Sequence, residues 1–452
     1  MLVLLVIFIS RPYKLPKGLR ENILVVSGGG TITMKKYIER TLEPSESGRK
    51  VIEQYFPGFR VVESINLDST NVGYPEFMTL SEPIMHGLQE GMGVVATVGS
   101  DGFGSIGSNG QARIRNIKRG NRRGVVFVAS MSPMGMKHSD APYSMHAAVL
   151  VANDGERYPG VNACINAGEV HRPARLMKMQ TTELKDYHIG ATVPMERPFE
   201  PIFYPKIGQL SIRPWWEFWN IRNPKYSVPY DRTPIYNTSG AELQWGFRKL
   251  SKSRETLEGL IAELFGHEKD EPFLLTEYAP VYVADLHANY NPELLEHVLE
   301  RGYEAAVLLG SGTGGVRNLV YDSPGVVSER AVIPRIKKWR DKGKLVFITS
   351  IVPKSIVDPL QYGVNLDAIA AGAIPCGDMS TNFLVTLTEL VGGIKKRANL
   401  TPYEAEHLFW DIAISEHGVN PVFMADFTIN YDDVLKIYDK LASSRKSEIP
   451  PP

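Results

Sequence analysis

The chain has 452 residues, 43% of them apolar and 10% aromatic, with 50 Lys and Arg balanced by 50 Asp and Glu. That length suits about two to three domains, each able to bury its own core, and the formal charge of zero excludes a general DNA binder or membrane-surface protein, because counterion release needs a basic surplus. Two cysteines, Cys164 and Cys376, make neither a disulfide framework nor a Cys-x-x-Cys site, and fit a reducing, cytoplasmic compartment.

Residues 1–20 read as an N-terminal arm. The first nine are apolar, but a spanning helix needs about 20 apolar residues, and a signal peptide needs a basic start and a small-residue cleavage site. The run instead meets Arg11-Pro12 and the basic stretch Lys14 to Arg20. An extra strand or docked arm is expected, with export or membrane association as the minor alternative.

From Glu21 the pattern is α/β. Ile23 to Ser27, Gly93 to Thr97, Gly124 to Ala129 and Val161 to Asn166 are nearly continuous apolar runs, which predict parallel strands covered on both faces. Helices are predicted over Pro75 to Gln89 and Ala141 to Ala152. Residues 21–194 form the expected larger, mainly parallel domain. Residues 195–279 shift in composition: Trp215, Trp216, Trp219 and Trp245 lie among many Pro and Tyr residues, so this is a packed insertion or connector rather than a flexible linker. Residues 280–452 form a smaller C-terminal α/β domain. Its predicted strands are Val281 to Leu286, Ala305 to Leu309 and Leu345 to Thr349, and its predicted helices are Asn291 to Arg301, Val332 to Asp341 and Val364 to Ala371. Asn291-Pro292-Glu293 is a good helix start, and Arg301-Gly302 a matching stop.

Open α/β sheets bind ligands at the carboxyl ends of their strands. The first strand ends in Ser27-Gly28-Gly29-Gly30-Thr31-Ile32-Thr33, which fits neither Gly-x-Gly-x-x-Gly nor the phosphate-loop pattern and instead exposes a hydroxyl after the glycines. A neighbouring strand delivers Gly99-Ser100-Asp101-Gly102 to the same edge, and Leu67-Asp68-Ser69-Thr70-Asn71 lies at an equivalent height. A hydroxyl beside a carboxylate can bind an amino group and assist proton transfer. Each of these segments alone is also an ordinary capped or Asp-Gly turn.

Together they resemble the asparaginase/glutaminase family of amidohydrolases, which includes the D subunit of archaeal glutamyl-tRNA(Gln) amidotransferase. The matching segments are Gly29-Gly30-Thr31-Ile32, Asp68-Ser69-Thr70-Asn71, Gly99-Ser100-Asp101-Gly102 and Lys178-Met179-Gln180-Thr181-Thr182. Ala129-Ser130-Met131-Ser132-Pro133, Ser139-Asp140-Ala141-Pro142, Gly310-Ser311-Gly312-Thr313-Gly314 and Ala371 to Met379 fit further signatures, over about three quarters of the chain. The resemblance implies a two-domain asparaginase-like fold and no cofactor or metal. Thr31 would be the nucleophile, with Ser100, Asp101 and Lys178 as the proton-transfer group. Ser69, Gly30, Gly99 and Asp101 would bind the substrate. Lysine is a base only when neutral, and a neighbouring carboxylate favours its charged form, so Lys178 either loses its proton through burial or acts as a charged orienting donor. A homodimer or homotetramer is implied.

The sequence departs from the family at Gly102, where a threonine is expected, and at Val98, where a histidine is expected. Phe103 to Gly110 is too rich in Gly and Ser for a stable helix start. It leads into a basic segment holding Arg113, Arg115, Lys118, Arg119, Arg122 and Arg123, read either as a solvated helix face or as an RNA contact. Three functions follow: a free-standing amidohydrolase acting on asparagine or glutamine, the glutaminase subunit of a tRNA amidotransferase with a partner subunit and tRNA, or a catalytically silent binding protein. The small β-rich domain expected ahead of the first strand in the second case has no counterpart in residues 1–20.

Overall fold

The computed structural model describes residues 15, 17–38, 41–115, 117, 123–136, 139–155, 158, 160–165, 168–178, 195–196, 208–209, 271–287, 290–312, 314–316, 321–323, 326–327, 331–352, 357, 363–377 and 379–417. The tryptophans of the expected insertion, Lys118, Arg119, Arg122 and the N-terminal arm before Leu15 lie outside them. The chain divides into two units, the first including residues up to 233 and 258–276, and the second including residues from 277 onward.

Unit 1 is built on a seven-stranded sheet. Its strands are β1 (Ile23–Gly29), β2 (Arg60–Leu67), β3 (Gly93–Thr97), β4 (Val125–Val128), β5 (Val161–Ile165), β6 (Glu169–His171) and β7 (Gly208–Gln209). Their order is β7-β6-β5-β4-β3-β1-β2. The five strands from β5 to β2 run parallel, and β6 and β7 close one edge antiparallel. Successive strand side chains point to opposite faces, so β1 divides its residues. Ile23 and Val25 join a core with Val95, Val126 and Val128, covered by α1 (Gly48–Tyr55) and α4 (Ala141–Asn153). Leu24 and Val26 join Val94, Ala96 and Phe127 on the other face, under α2 (Tyr74–Gln89) and α3 (Phe103–Arg113). Burial on both faces is why these strands read as unbroken apolar runs.

Helix α3 corrects an expectation. Residues 103–113 are helical despite their glycines and serines, and all but Ser105 are buried. A Cβ on Gly110 would run into the Phe127 ring of β4, and one on Gly107 would lie 2.7 Å from Pro173 Cβ. The small residues lower intrinsic propensity but let the helix press onto the sheet, and packing overrides propensity. Arg113 and Arg115 are buried, contrary to both readings of the basic segment. Arg113 donates through Nε to Asn109 Oδ1 at 2.9 Å and through a terminal nitrogen to the Leu275 carbonyl at 3.3 Å, and its guanidinium lies 4.8 Å from the Tyr74 ring centroid. These two arginines therefore add nothing to a basic surface.

Unit 2 holds four parallel strands in the order of the chain: β8 (Val281–Asp285), β9 (Ala305–Gly310), β10 (Leu345–Ser350) and β11 (Ile374–Pro375). Helices α5 (Glu293–Glu300) and α6 (Val332–Asp341) bury Leu295, Leu299, Ile336 and Trp339 against Ala306, Leu308, Val346 and Ile348. Asn291 Oδ1 accepts from the Glu293 amide at 3.0 Å, as its cap position predicts. Helix α7 (Gly363–Ala370) precedes β11, and α8 (Thr381–Ala398) and α9 (Pro402–His417) follow it. Phe409 of α9 stacks on Phe347 of β10 with ring centroids 4.3 Å apart. Among the described residues no helix is long and apolar enough to cross a membrane.

Candidate functional site

Three turns leave the carboxyl ends of β1, β2 and β3 in unit 1, and they meet. After β1 the chain passes through Gly30 at φ 80° and ψ 176° into a single 3-10 turn, Thr31–Thr33. That backbone conformation is essentially restricted to glycine. A Cβ there would also strike the Gly99 backbone, so the close approach of two main chains joins the first turn to the third. Both polar backbone groups of Gly30 are engaged: its amide donates to Leu67 O at 3.2 Å, and its carbonyl accepts from the Thr33 amide at 3.1 Å. Gly30 therefore acts here by allowing the approach. Thr31, the next residue, is partly exposed, while Ile32 and Thr33 are buried beneath it.

The second turn, Ser69–Asn71, is capped by Asp68, whose Oδ1 accepts from the amide and the hydroxyl of Thr70, each at 2.9 Å. The capped-turn reading of Asp68 thus holds, and it leaves Ser69 to serve elsewhere. Ser69 is 5% exposed, and its Oγ accepts from the Gly102 amide at 2.9 Å. The third turn carries Ser100, buried, and Asp101, exposed, immediately ahead of α3.

Lys178 is reached by a separate route. Helix α3 packs on the 3-10 turn Pro173–Arg175 and on the short strand Met177–Lys178 that follows it. That strand pairs antiparallel with Met195–Glu196. The Lys178 side chain and the following Thr181 and Thr182 lie outside the described residues.

The sequence reading placed Asp140 in a family-like segment but missed its role as support under the Thr31 turn. Asp140, 1% exposed, accepts from the Met131 amide through both carboxylate oxygens and from the Ser132 amide, all at 3.1 Å. The loop it holds reaches the first turn, where the Met134 amide donates to Ile32 O at 3.2 Å. Burial pushes the Asp140 carboxyl up to about 6, against the opposing pull of the amides of Met131 and Ser132. The available signal was an acidic residue just before the apolar helix α4, which as a sequence pattern reads simply as a helix cap. Both cysteines are buried free thiols whose pKa values burial raises, so neither is poised as a nucleophile.

Comparison with known proteins bears on the family and the fold. Residues 22–196 match the family model for the asparaginase N-terminal domain, and residues 280–399 match that for the glutaminase/asparaginase C-terminal domain. The chain is 25% identical to an L-asparaginase of Thermococcus kodakarensis over 382 residues, covering 82% of this chain and 92% of that one. It is 24% identical to the D subunit of a glutamyl-tRNA(Gln) amidotransferase of Methanopyrus kandleri over 380 residues, covering 79% and 67%. Among solved structures, the thermostable L-asparaginase from Thermococcus kodakarensis superposes with a TM-score of 0.59 at 20% identity, over 88% of this chain and 98% of that one. The L-asparaginase I of Vibrio cholerae does so with a TM-score of 0.58 at 16% identity, over 86% and 96%. These superpositions establish the fold, and the two family models, in the expected order, go further: the chain belongs to the asparaginase family.

Proposed function

We propose that this chain releases ammonia from the side-chain amide of L-asparagine or L-glutamine, with Thr31 as nucleophile. Family membership supplies the reaction class, hydrolysis of the carbon–nitrogen bond of a linear amide. The observation that carries the reading is the meeting of the Gly30-Thr31, Ser69 and Gly99 to Gly102 turns at one end of a parallel sheet. In the first step Thr31 Oγ bonds to the amide carbon, its proton passes through the Ser100, Asp101 and Lys178 group to the departing nitrogen, and ammonia leaves an ester on Thr31. Water then attacks that ester, a proton returns to Thr31 Oγ, and the free acid departs. Ser69 and Asp101 hold the α-carboxylate and α-amino groups. The difference of one methylene between the two substrates is worth only about 1 to 3 kcal/mol.

Ammonia release from both amino acids, measured for the wild type and Thr31→Ala, tests this. The expected loss is roughly a thousandfold or more, as for other removed nucleophiles. A folded wild type that releases none from either amino acid sinks the free-enzyme reading and favours a silent binding protein. A second reading, the glutaminase subunit of a tRNA amidotransferase, is favoured by the amidotransferase relatives of Methanopyrus kandleri and Aeropyrum pernix. Co-purification with a partner subunit and tRNA would support it, as would ammonia release that appears only when the partner is present. A homodimer or homotetramer is part of the proposal, checked by light scattering.

A further inference from the structure

Gly102 stands where the family resemblance places a threonine, and read from sequence it is a lost hydroxyl. The structure gives the position another use. A Cβ on Gly102 would lie 2.5 Å from the Ser69 carbonyl oxygen and 2.9 Å from Ser69 Cβ, and a Cβ on Gly99 would collide with Ser69 Oγ. Ser69 thus sits in a notch whose two walls lack side chains. The obstacle at Gly102 includes backbone of the Ser69–Asn71 turn, which Asp68 caps, so a larger residue cannot be absorbed by a rotamer change.

The notch also sets the direction of the Ser69 hydroxyl. A hydroxyl has one hydrogen to donate and two lone pairs. One lone pair accepts the Gly102 N–H at 2.9 Å, which leaves the O–H to act as a donor. A donor matches a carboxylate, which only accepts. We propose that Gly102 is a positioning residue for substrate recognition: by lacking a side chain and donating its amide, it seats Ser69 as a hydroxyl donor for the α-carboxylate of the amino-acid substrate. This rests on the reading of Ser69 as a substrate-binding residue. It predicts that restoring the family's threonine impairs the protein.

The test compares wild type, Gly102→Ala, Gly102→Thr, Ser69→Ala and the Ser69→Ala/Gly102→Ala double variant. Calorimetry measures binding of L-aspartate, kinetics measures turnover of L-asparagine and of 3-aminopropanamide, which lacks the α-carboxylate, and thermal unfolding confirms that each variant is folded. Gly102→Thr is expected to weaken L-aspartate binding at least tenfold and to raise KM for L-asparagine similarly, with kcat within a few-fold. Turnover of 3-aminopropanamide should fall by a clearly smaller factor than kcat/KM for L-asparagine, and Gly102→Ala should add little in the Ser69→Ala background. Binding of L-aspartate by Gly102→Thr as tight as wild type, or tighter, overturns the proposal. A wild type that binds L-aspartate in a Gly102-dependent manner but releases no ammonia leaves the proposal standing and sinks the catalytic reading. A folded wild type that does not bind L-aspartate overturns the proposal whatever its turnover.

Discussion

Two Gly- and Ser-rich turns leave parallel strands in the two units of this molecule, and they behave differently. In unit 2, β9 ends in Gly310 and the turn bonds to itself and to one neighbouring strand: the Ser311 amide donates to Gly315 O at 2.9 Å, the Gly315 amide returns a bond to Ser311 O at 2.7 Å, and at the end of β10 Ser350 Oγ donates to Gly312 O at 2.5 Å and the Ile351 amide to Gly310 O at 2.9 Å. In unit 1 the turn after β1 bonds outward, to Leu67 O at the end of β2 and to Met134 N in the loop after β4, and it packs against Gly99 after β3. Composition is similar in the two places. What separates a candidate site from a strand-end turn is whether segments from several strands, rather than one neighbour, are brought together, because only then do a hydroxyl, a carboxylate and an amide from distant segments share one space.

Single methyl groups test that difference. Gly30→Ala must place a Cβ into the Gly99 backbone and hold alanine in a region open essentially to glycine alone, whereas Gly312→Ala meets nothing within 4 Å and has only its φ of 52° to accommodate. The expected cost at Gly30 is more than about 4 kcal/mol, in the exceptional class of point substitutions. At Gly312 it is about 1 to 2 kcal/mol. Urea unfolding of both variants measures the gap, and equal costs would remove the structural distinction between the two turns.

Much of this was legible in the sequence, for identifiable reasons. The buried parallel strands announce themselves as apolar runs such as Ile23 to Val26, and Asn291-Pro292-Glu293 declares its helix start because capping is local chemistry. The candidate turns are visible as glycine followed by hydroxyl or carboxylate. Their meeting is not, since the contact of Ser69 with Gly102 depends on sheet order and on the heights of two turns more than thirty residues apart. Helix α3 was illegible for the opposite reason: its glycines signal a loop by propensity, and only Phe127 and Pro173, on other elements, show why they suit a helix. The antiparallel hairpin Met34–Ile38 with Thr41–Pro44 was hidden by its short, lysine-bearing strands.

Asp140 sharpens the comparison, because unit 1 braces the loop against its turn with a buried carboxylate, whereas the unit 2 turn is bonded by backbone, its own and that of Ile351, and by the Ser350 hydroxyl. The folded-state value of about 6 lies above the ordinary 3.8, so the folded protein holds this proton more tightly than the unfolded chain. That contribution to stability is fully present below pH 3.8 and is lost as pH rises through about 6. The gap corresponds to about 3 kcal/mol. Asp140→Asn does not titrate, and its amide nitrogen would face one of the N–H donors that the carboxylate now satisfies. Urea unfolding at intervals between pH 4 and pH 7 should show the wild type losing up to about 3 kcal/mol relative to this variant. Parallel curves would place the titration elsewhere.

The smallest expected effect concerns glycine inside helices. Gly110 in α3 and Gly392 in α8 both sit in buried stretches, and replacing either with alanine raises intrinsic helix propensity by about 1 kcal/mol. At Gly392 the added methyl would lie 3.2 Å from Ala279 Cβ, a neighbour that needs to yield only a few tenths of an ångström. Propensity and crowding then nearly cancel, and Gly392→Ala should change stability by less than about 1 kcal/mol. At Gly110 the methyl would collide with the Phe127 ring, which is fully buried in β4. Crowding wins there, and a net loss of about 1 to 3 kcal/mol is expected despite the gain in propensity. Because Gly102, the residue after Asp101, is the N-cap of α3, displacing the helix from the sheet also moves the third turn, so Gly110→Ala should lower ammonia release where Gly392→Ala does not. A stabilised Gly110→Ala would mean that α3 lies less tightly on β4 than its glycines allow.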